Sequence, residues 1–531
     1  MRRKGAVIWL SLVIIFTSIV IVIEIAPIIE SADTYYVDDE LGEGPGNPPE
    51  DFTSIQDAIN FSNNLDTVFV YNGTYYENIV VDKQINLTGE DKNSTIIDGR
   101  GNKEVVRLEG GWANIKGFTI TNSSSEDIWD PEAGVYVISH YNTISDNNII
   151  FNDEHGVYLD SSNYNTISNN NISSNHEGIF LMTSNDNTII NNFILSDIFG
   201  VRIWESLRNN VSFNALTNIS WAIYLAESST YNTIFHNNIW DNGHGIRIVS
   251  SSNENTISYN NIFNNRRSGI NMSSSDNNIF HHNNFVNNLK HIGLYGGIGN
   301  VWDDGNGEGN YWDDYSGLDD GSGGRTKGDG IGDTEIPHPY VDQGSGYYQL
   351  DNYPFMNPIG NYLFLHQGWN LISIPKIQSD TNLDTVLSSI SGSYDSLQWY
   401  NASDPYDPWK HHHISKPPHL NDLEGIDHLM GYWIHVTQPN GSIFEYYGTE
   451  PTQNQTITLY PGWNMVGYPS LTRYNRTEGL NNITYDTDVD AIISYNSAIQ
   501  KWEKMDETNH FRIGKGYYIH SKGKIEWVVP L

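Results

Sequence analysis

Between Gly134 and Leu294 the chain says nearly the same thing again and again, and this repeat constrains the fold more than any other feature. Gly134-Val135-Tyr136-Val137 returns as Gly156-Val157-Tyr158-Leu159, Gly178-Ile179-Phe180-Leu181, Gly200-Val201-Arg202-Ile203, Ala222-Ile223-Tyr224-Leu225, Gly245-Ile246-Arg247-Ile248 and Gly269-Ile270-Asn271-Met272. A last, degraded copy is His291-Ile292-Gly293-Leu294. The step is 22 residues, stretching to 23 and 24 near the end. Two further phrases keep the same beat, one reading Asn-Thr-Ile (Asn142, Asn165, Asn187, Asn232, Asn255) and one Asn-Ile (Asn148, Asn171, Asn238, Asn261).

Self-similarity at this period is the signature of a solenoid. Each period holds three apolar phrases, all too short for a helix and bounded by Asn, Ser or Gly, which predicts three strands and three turns per coil. Asn at equivalent turn positions suits stacked coils, because amides ~4.8 Å apart donate and accept along a ladder. The fold class expected is all-β: a parallel β-helix, followed by a pair of β-rich modules. Leucine-rich repeats have a similar period but need a dense Leu framework that this chain lacks.

The 28 basic against 64 acidic residues, net −36, exclude nucleic acid and anionic membrane as partners, since both would be repelled. The absence of cysteine excludes disulfides, thiolate metal sites and a Cys nucleophile. Arg2, Arg3 and Lys4 precede an uncharged apolar run from Ala6 to Ile23, the pattern of a secretory signal or N-terminal anchor. Export is therefore expected, to a secreted or cell-surface location, with the membrane touched only through this segment. Asn-x-Ser/Thr sequons such as Asn72, Asn86, Asn122, Asn218, Asn401 and Asn454 suit an exported glycoprotein.

After a Gly/Pro linker (42–49), Thr53-Ser54-Ile55-Gln56 reads as a capping box opening a short helix, with Ile55, Ala58 and Ile59 on one face. Such a helix is a natural lid for the open end of a solenoid, whose unpaired backbone would otherwise recruit other chains. Thr53-Ser54-Ile55-Gln56-Asp57-Ala58-Ile59, Val68-Phe69-Val70-Tyr71-Asn72-Gly73-Thr74-Tyr75, Ile96-Ile97-Asp98-Gly99 and Gly117-Phe118-Thr119-Ile120 resemble the opening coils of the pectin-lyase-like superfamily. The Asn-Thr-Ile-Ser repeats resemble its NosD branch of carbohydrate-binding and sugar-hydrolase domains. Gly309-Asn310-Tyr311-Trp312-Asp313-Asp314-Tyr315, Gly328-Asp329-Gly330-Ile331-Gly332-Asp333 and Asp351-Asn352-Tyr353-Pro354 are similar to the ends of NosD-like β-helices of archaeal secreted proteins. The resemblance implies a right-handed coil, and a superfamily that holds lyases, hydrolases, epimerases and non-catalytic binders alike.

From Leu363 a different repeat begins. Gly368-Trp369-Asn370-Leu371-Ile372 is echoed by Gly462-Trp463-Asn464-Met465-Val466, and Gly431-Tyr432-Trp433-Ile434-His435 by Gly516-Tyr517-Tyr518-Ile519-His520. The organisation expected is a signal or anchor (1–32), the β-helix with its capping helix (33–300), a Gly/Asp/aromatic-rich cap (301–360) and two β-rich modules (361–445 and 446–531).

In a Gly-Ile-x-Leu strand the two apolar residues point inward and x points out. The outward row is then Tyr136, Tyr158, Phe180, Arg202, Tyr224, Arg247 and Asn271, a mixture of aromatic rings and guanidinium groups that suits a linear polysaccharide by stacking on sugar C–H faces and bidentate hydrogen bonding. The turns entering these strands carry Glu132, Asp153, Glu154, His155, His176, Glu177 and Asp197, of which Glu154, His155, His176 and Glu177 are the catalytic candidates. Gly243-His244-Gly245 with Arg247-Ile248 resembles polygalacturonase motifs, but the partner aspartates of that family are missing where the strand reads Asn-Thr-Ile. Asp329 and Asp333, among Asp313, Asp314, Asp319 and Asp320, form a Gly/Asp loop in the style of a calcium site. Copper delivery of the NosD kind wants Met, Cys or clustered His; the chain offers seven scattered Met, no Cys, and the Pro-flanked loop tract His411-His412-His413.

The function expected is an exported surface β-helix that binds polysaccharide or envelope glycans without catalysis, its C-terminal modules attaching it to other envelope components. A polysaccharide lyase, glycoside hydrolase or epimerase is the alternative, and a copper-maturation factor a lesser one.

Overall fold

The computed structural model describes residues 14–16, 19–21, 32–39, 52–124, 132–336, 351–438, 442–472, 474–497, 500–507 and 509–531. They fall into two compact units, Met1–Thr256 with Ser273–Asp276, and Ile257–Met272 with Asn277–Leu531. Most of the N-terminal apolar run and the Gly/Pro linker lie outside the described residues; within the run, Ile14–Phe16 and Ile19–Ile21 pair antiparallel. Among the described residues no helix is long and apolar enough to cross a membrane.

In the first unit each period makes one coil of three strands, and every strand pairs in parallel with its counterpart in the next coil. Thr143–Ser145, Thr166–Ser168, Thr188–Ile190, Asn210–Ser212 and Thr233–Phe235 stack so that Ile144, Ile167, Ile189, Val211 and Ile234 share a column. Ile149, Ile172, Ile194, Leu216 and Ile239 form a second column, and Val135, Val157, Ile179, Val201, Ile223 and Ile246 a third. All of these side chains are fully buried, so the interior is a dry stack of aliphatic layers.

Buried amide ladders hold the turns. Asn142, Asn165, Asn187, Asn209 and Asn232 each pass an Nδ2–H to the next Oδ1 at 3.0–3.2 Å, as far as Asn255. Asn147, Asn170, Asn192 and Asn214 do the same at the following turn, as far as Asn237. Each Oδ1 also takes a backbone N–H from the coil before, as Asn187 does from Asn165 at 2.8 Å. A serine ladder, Ser162 to Ser184 to Ser206, secures the third turn. The recurring asparagines thus satisfy buried turn backbone that no strand can reach.

At the N-terminal end the helix Ile55–Phe61 covers the first coil with Ile55, Ala58 and Ile59 buried. Its N-cap is Ser54, not Thr53, and the capping-box reading is corrected accordingly. Glu77 takes the free N–H groups of Ile55 and Gln56 at 2.9 Å each. Gln56 instead pairs its side chain with both backbone groups of Val80, accepting at 2.7 Å and donating at 3.2 Å, and so acts as a substitute strand on the exposed edge.

The second unit begins with the last coils of the repeat and is filled by aromatic rings. Phe280 stacks on Trp302 at 4.2 Å and Phe285 on Trp312 at 4.3 Å, all fully buried. Asp351, wholly buried, accepts from Asn310 N at 2.7 Å, Trp312 Nε1 at 2.9 Å and Tyr353 N at 2.8 Å. Two antiparallel modules follow with the same topology. In the first, Tyr362–Leu365 pairs with Ser442–Glu445, beside a sheet of Gly368–Ser373, Gly431–Val436, Tyr394–Tyr400 and Trp409–His413. In the second, Gln455–Leu459 pairs with Ile525–Val529, beside Gly462–Val466, Tyr517–Ser521, Val489–Asn496 and Lys501–Lys504. Asn370 and Asn464 explain the repeated Gly-Trp-Asn: each is buried and ties the turn before it, to His366 and to Tyr460, in both directions. His411-His412-His413 lies in a strand, not a loop, because Trp409 to His413 complete the sheet edge opposite Ser396 to Tyr400.

Candidate functional site

The outward row of the first unit is in register. Tyr136, Tyr158, Phe180, Arg202, Tyr224 and Arg247 are paired coil by coil. Asn271 belongs to the second unit. At ~4.8 Å per coil the row from Tyr136 to Arg247 spans roughly 24 Å. Its rings lean on one another: Tyr158 and Phe180 stack at 5.1 Å and 9°, leaving Phe180 only 8% exposed. These two ring faces are therefore taken up by each other, and the row offers ring edges, hydroxyls and guanidinium groups instead of the open ring faces that stacking on a sugar requires.

A second outward row runs beside the first; it includes His155 and Glu177, which the sequence placed in turns beside the first row and which lie in strands, and it adds Phe199 and Trp221. Ala133, His155, Glu177, Phe199, Trp221 and His244 are also paired coil by coil. Strict alternation would turn His155 inward with Val157 and Leu159. The chain bends at the intervening glycine instead. A Cβ on Gly156 would lie 2.6 Å from Gly178 O, 2.7 Å from Ile172 Cγ2 and 3.0 Å from Asn175 Nδ2, so this position faces the packed interior and only glycine fits. With Gly156 turned in, His155 emerges beside Tyr158, ring centroids 5.0 Å apart. The signal was present in the sequence, as the residue preceding each repeated Gly.

The two rows meet in a buried charged cluster. Arg202 Nη1 donates to Glu177 Oε1 at 2.9 Å, and His155 Nδ1 lies 3.4 Å from Glu177 Oε2. Burial by itself pushes the Glu177 carboxyl up, but His155 and the Arg202 guanidinium outweigh it and hold the group below the usual carboxylate range. Arg202 sits over Phe180 at 4.6 Å, Trp204 at 4.8 Å and Phe199 at 4.9 Å, and Arg247 over Trp221 at 5.5 Å and Tyr224 at 5.7 Å. Tyr136 gives its hydroxyl to Asp160 at 3.2 Å, and burial, then the Asp160 charge, push that phenol up to about 12. Burial and Asp160 also raise Tyr158.

Of the catalytic candidates, the fold brings His155 and Glu177 together with Arg202. Glu154 and His176 point elsewhere, exposed on a shallow cleft of about 890 Å³ shared with Glu132, Phe151 and Asp153. The Asp197 side chain lies outside the described residues. Several buried polar atoms along the rows make no hydrogen bond: Nε of Arg202, Nε of Arg247, Nε1 of Trp221, Nδ1 of His155 and Oε2 of Glu177.

In the Gly/Asp loop the carboxylates brace backbone. Asp329 Oδ1 accepts from Ile331 N at 3.0 Å, Asp319 Oδ2 from Gly330 N at 2.8 Å, and Asp333 Oδ2 from Gly321 N at 2.6 Å, while the buried Asp333 Oδ1 makes no hydrogen bond. Among the described residues the three groups close enough to share a cation are His291, Asp313 and Asp314, and there His291 Nε2 already contacts Asp313 at 2.9 Å and Asp314 at 3.2 Å.

Residues 104–219 and 133–306 match a family model described as a right handed beta helix region. No curated protein compared with the chain matches it. Among solved structures, an alginate lyase from Paenibacillus sp. str. FPU-7 is 14% identical, with 50% of this chain and 99% of that one covered and a TM-score of 0.34. An Azotobacter vinelandii mannuronan C-5 epimerase A-module is 15% identical over 45% of this chain and 90% of that one, TM-score 0.32. The Dettilon tailspike protein is 12% identical over 86% of this chain and 87% of that one, TM-score 0.38. Together with the strand register, the family match identifies residues 104–306 as a right-handed parallel β-helix, the coil that the pectin-lyase-like resemblance implies.

Proposed function

We propose that the first unit binds a linear polysaccharide laid lengthwise along the paired outward rows, without turning it over. The observation that carries this reading is the in-register row of aromatic and guanidinium side chains from Tyr136 to Arg247, one per successive coil, with Trp221 beside it. Hydroxyl or carboxylate oxygens of a sugar chain suit guanidinium groups repeated along such a row. What supports binding without turnover is Glu177: its charge is offset by Arg202, and among the described residues of the two rows no second carboxylate stands beside it. The N-terminal apolar run supports a location for this binder outside the cell, secreted or tethered at the surface.

A second reading, a lyase, hydrolase or epimerase, is favoured by one observation: His155 Nδ1 and Glu177 Oε2 face each other at 3.4 Å, a pair of the kind between which protons move. Incubation with acidic and neutral polysaccharides, scoring both retention and products, separates the two. Retention that falls at least tenfold in Trp221→Ala or Arg247→Ala, with the polysaccharide recovered intact, supports binding. Release of shortened, unsaturated or epimerised products refutes the non-catalytic reading.

A further inference from the structure

The two C-terminal modules carry one side-chain arrangement twice. Trp369 lies opposite His435 in the first, and Trp463 opposite His520 in the second. Indole and imidazole centroids are 5.0 and 5.1 Å apart. On the neighbouring strand the register breaks between Tyr394 and Ser396, and again between Val489 and Ala491. The residue at each break is an aspartate. A bulge of this kind re-aims a side chain, and here Asp395 Oδ1 lies 2.8 Å from His435 Nδ1, and Asp490 Oδ1 lies 2.7 Å from His520 Nδ1.

The modules also contact one another reciprocally. Ser373 N donates to Gly514 O at 2.9 Å, and the equivalent Gly467 N to Leu429 O at 2.8 Å. The bridge Ile372 to Lys515 has its image in Val466 to Met430. Trp433 and its counterpart Tyr518 are hydrogen-bonded to each other at 3.1 Å. The same patch of each module is used, as in a two-fold dimer, but within one chain. The two Trp–His–Asp groups are therefore a related pair held on one body.

With Nδ1–H given to the aspartate, the imidazole keeps Nε2 as a second polar atom. The second aspartate oxygen is an acceptor, and the indole, 40% exposed at Trp463, is an apolar plate beside both. A plate with polar groups at its edge fits a pyranose, whose C–H face lies on the ring while its hydroxyls hydrogen-bond at the edge. The carboxylate repels uronates and phosphates. We propose that each module binds one neutral hexose unit of a glycan, at Trp369–His435–Asp395 and at Trp463–His520–Asp490, so that one chain grips a glycan surface at two equivalent points.

Isothermal titration of the full chain with neutral oligosaccharides (malto-, cello-, manno- and chito-hexaoses) tests this. The number of sites per chain falls by one in Trp369→Ala, by one in Trp463→Ala and by two in the double variant, whether or not the β-helix rows also bind. Asp395→Asn with Asp490→Asn weakens both sites about tenfold and moves the pH dependence of binding, which a purely structural pair would not do. Trp221→Ala with Arg247→Ala leaves both sites in place, so this proposal and the β-helix reading fail separately. If Trp369→Ala does not fold, Trp463→Ala alone decides. The absence of any neutral-glycan binding, or undiminished binding in the double variant, overturns the proposal.

Discussion

Replacing Asn187 by alanine tests the ladder that holds the coils in register. Asn187 Oδ1 accepts from Asn165 N at 2.8 Å and Asn165 Nδ2 at 3.2 Å, and its Nδ2 donates to Ser162 O at 2.9 Å and Asn209 Oδ1 at 3.1 Å. The side chain is 1% exposed, so water cannot replace it. Asn187→Ala strands the Asn165 N–H and the Ser162 carbonyl at about 1–3 kcal/mol each and breaks two amide–amide links. The expected loss is about 3–5 kcal/mol, against under about 1 kcal/mol for the neighbouring, half-buried Thr188→Ala. Urea unfolding followed by circular dichroism gives the total. Because solenoid coils contact only their neighbours, hydrogen exchange should quicken around residues 160–210 first. A loss no larger than that of Thr188→Ala, or exchange that quickens uniformly, would refute the ladder argument.

Three further outcomes follow from local chemistry. Glu177 is held below its ordinary range, so its contribution is present above that range and lost as pH falls through the folded value; Tm should drop on acidification below about pH 4. Glu177→Gln should flatten that acid limb and cost up to about 3 kcal/mol at neutral pH, because Arg202 loses its partner. His291 is pushed up to about 9: burial opposes the charge, but Asp313 and Asp314 prevail, so its contribution is present below its ordinary ~6.5 and lost as pH rises through about 9. His291→Asn should remove the alkaline fall in Tm. Phe151 is 66% exposed with φ +55°, a left-handed turn in which a bulky side chain is strained. Phe151→Asn should raise stability by about 1 kcal/mol by thermal melting, since Asn tolerates this conformation.

The coil and its outward Tyr136-to-Arg247 row were legible because the Gly-Ile-x-Leu phrase encodes alternation directly, and a constant step turns equal positions into columns. The row containing His155, Glu177, Phe199 and Trp221 has the same step, yet alternation misplaces it. The bend that brings it out comes from a close approach of backbone at Gly156, visible only once coils are stacked. Ring-on-ring stacking was hidden for the same reason, since whether Tyr158 offers a face or an edge depends on the neighbouring coil. The strand at Trp409–His413 was obscured by the prolines flanking the His tract; its pairing with Tyr394–Tyr400 is a tertiary fact. The Asp395 and Asp490 bulges leave no local sequence mark beyond recurring in both modules.

The most direct test of the central claim is diffraction from crystals of the chain soaked with an oligosaccharide drawn from the polysaccharide it retains. The sugar is predicted to lie along the coils from Tyr136 to Arg247, in contact with the side chains of Arg202, Trp221 and Arg247. A sugar chain bound elsewhere on the β-helix, with these three side chains untouched, would contradict the account.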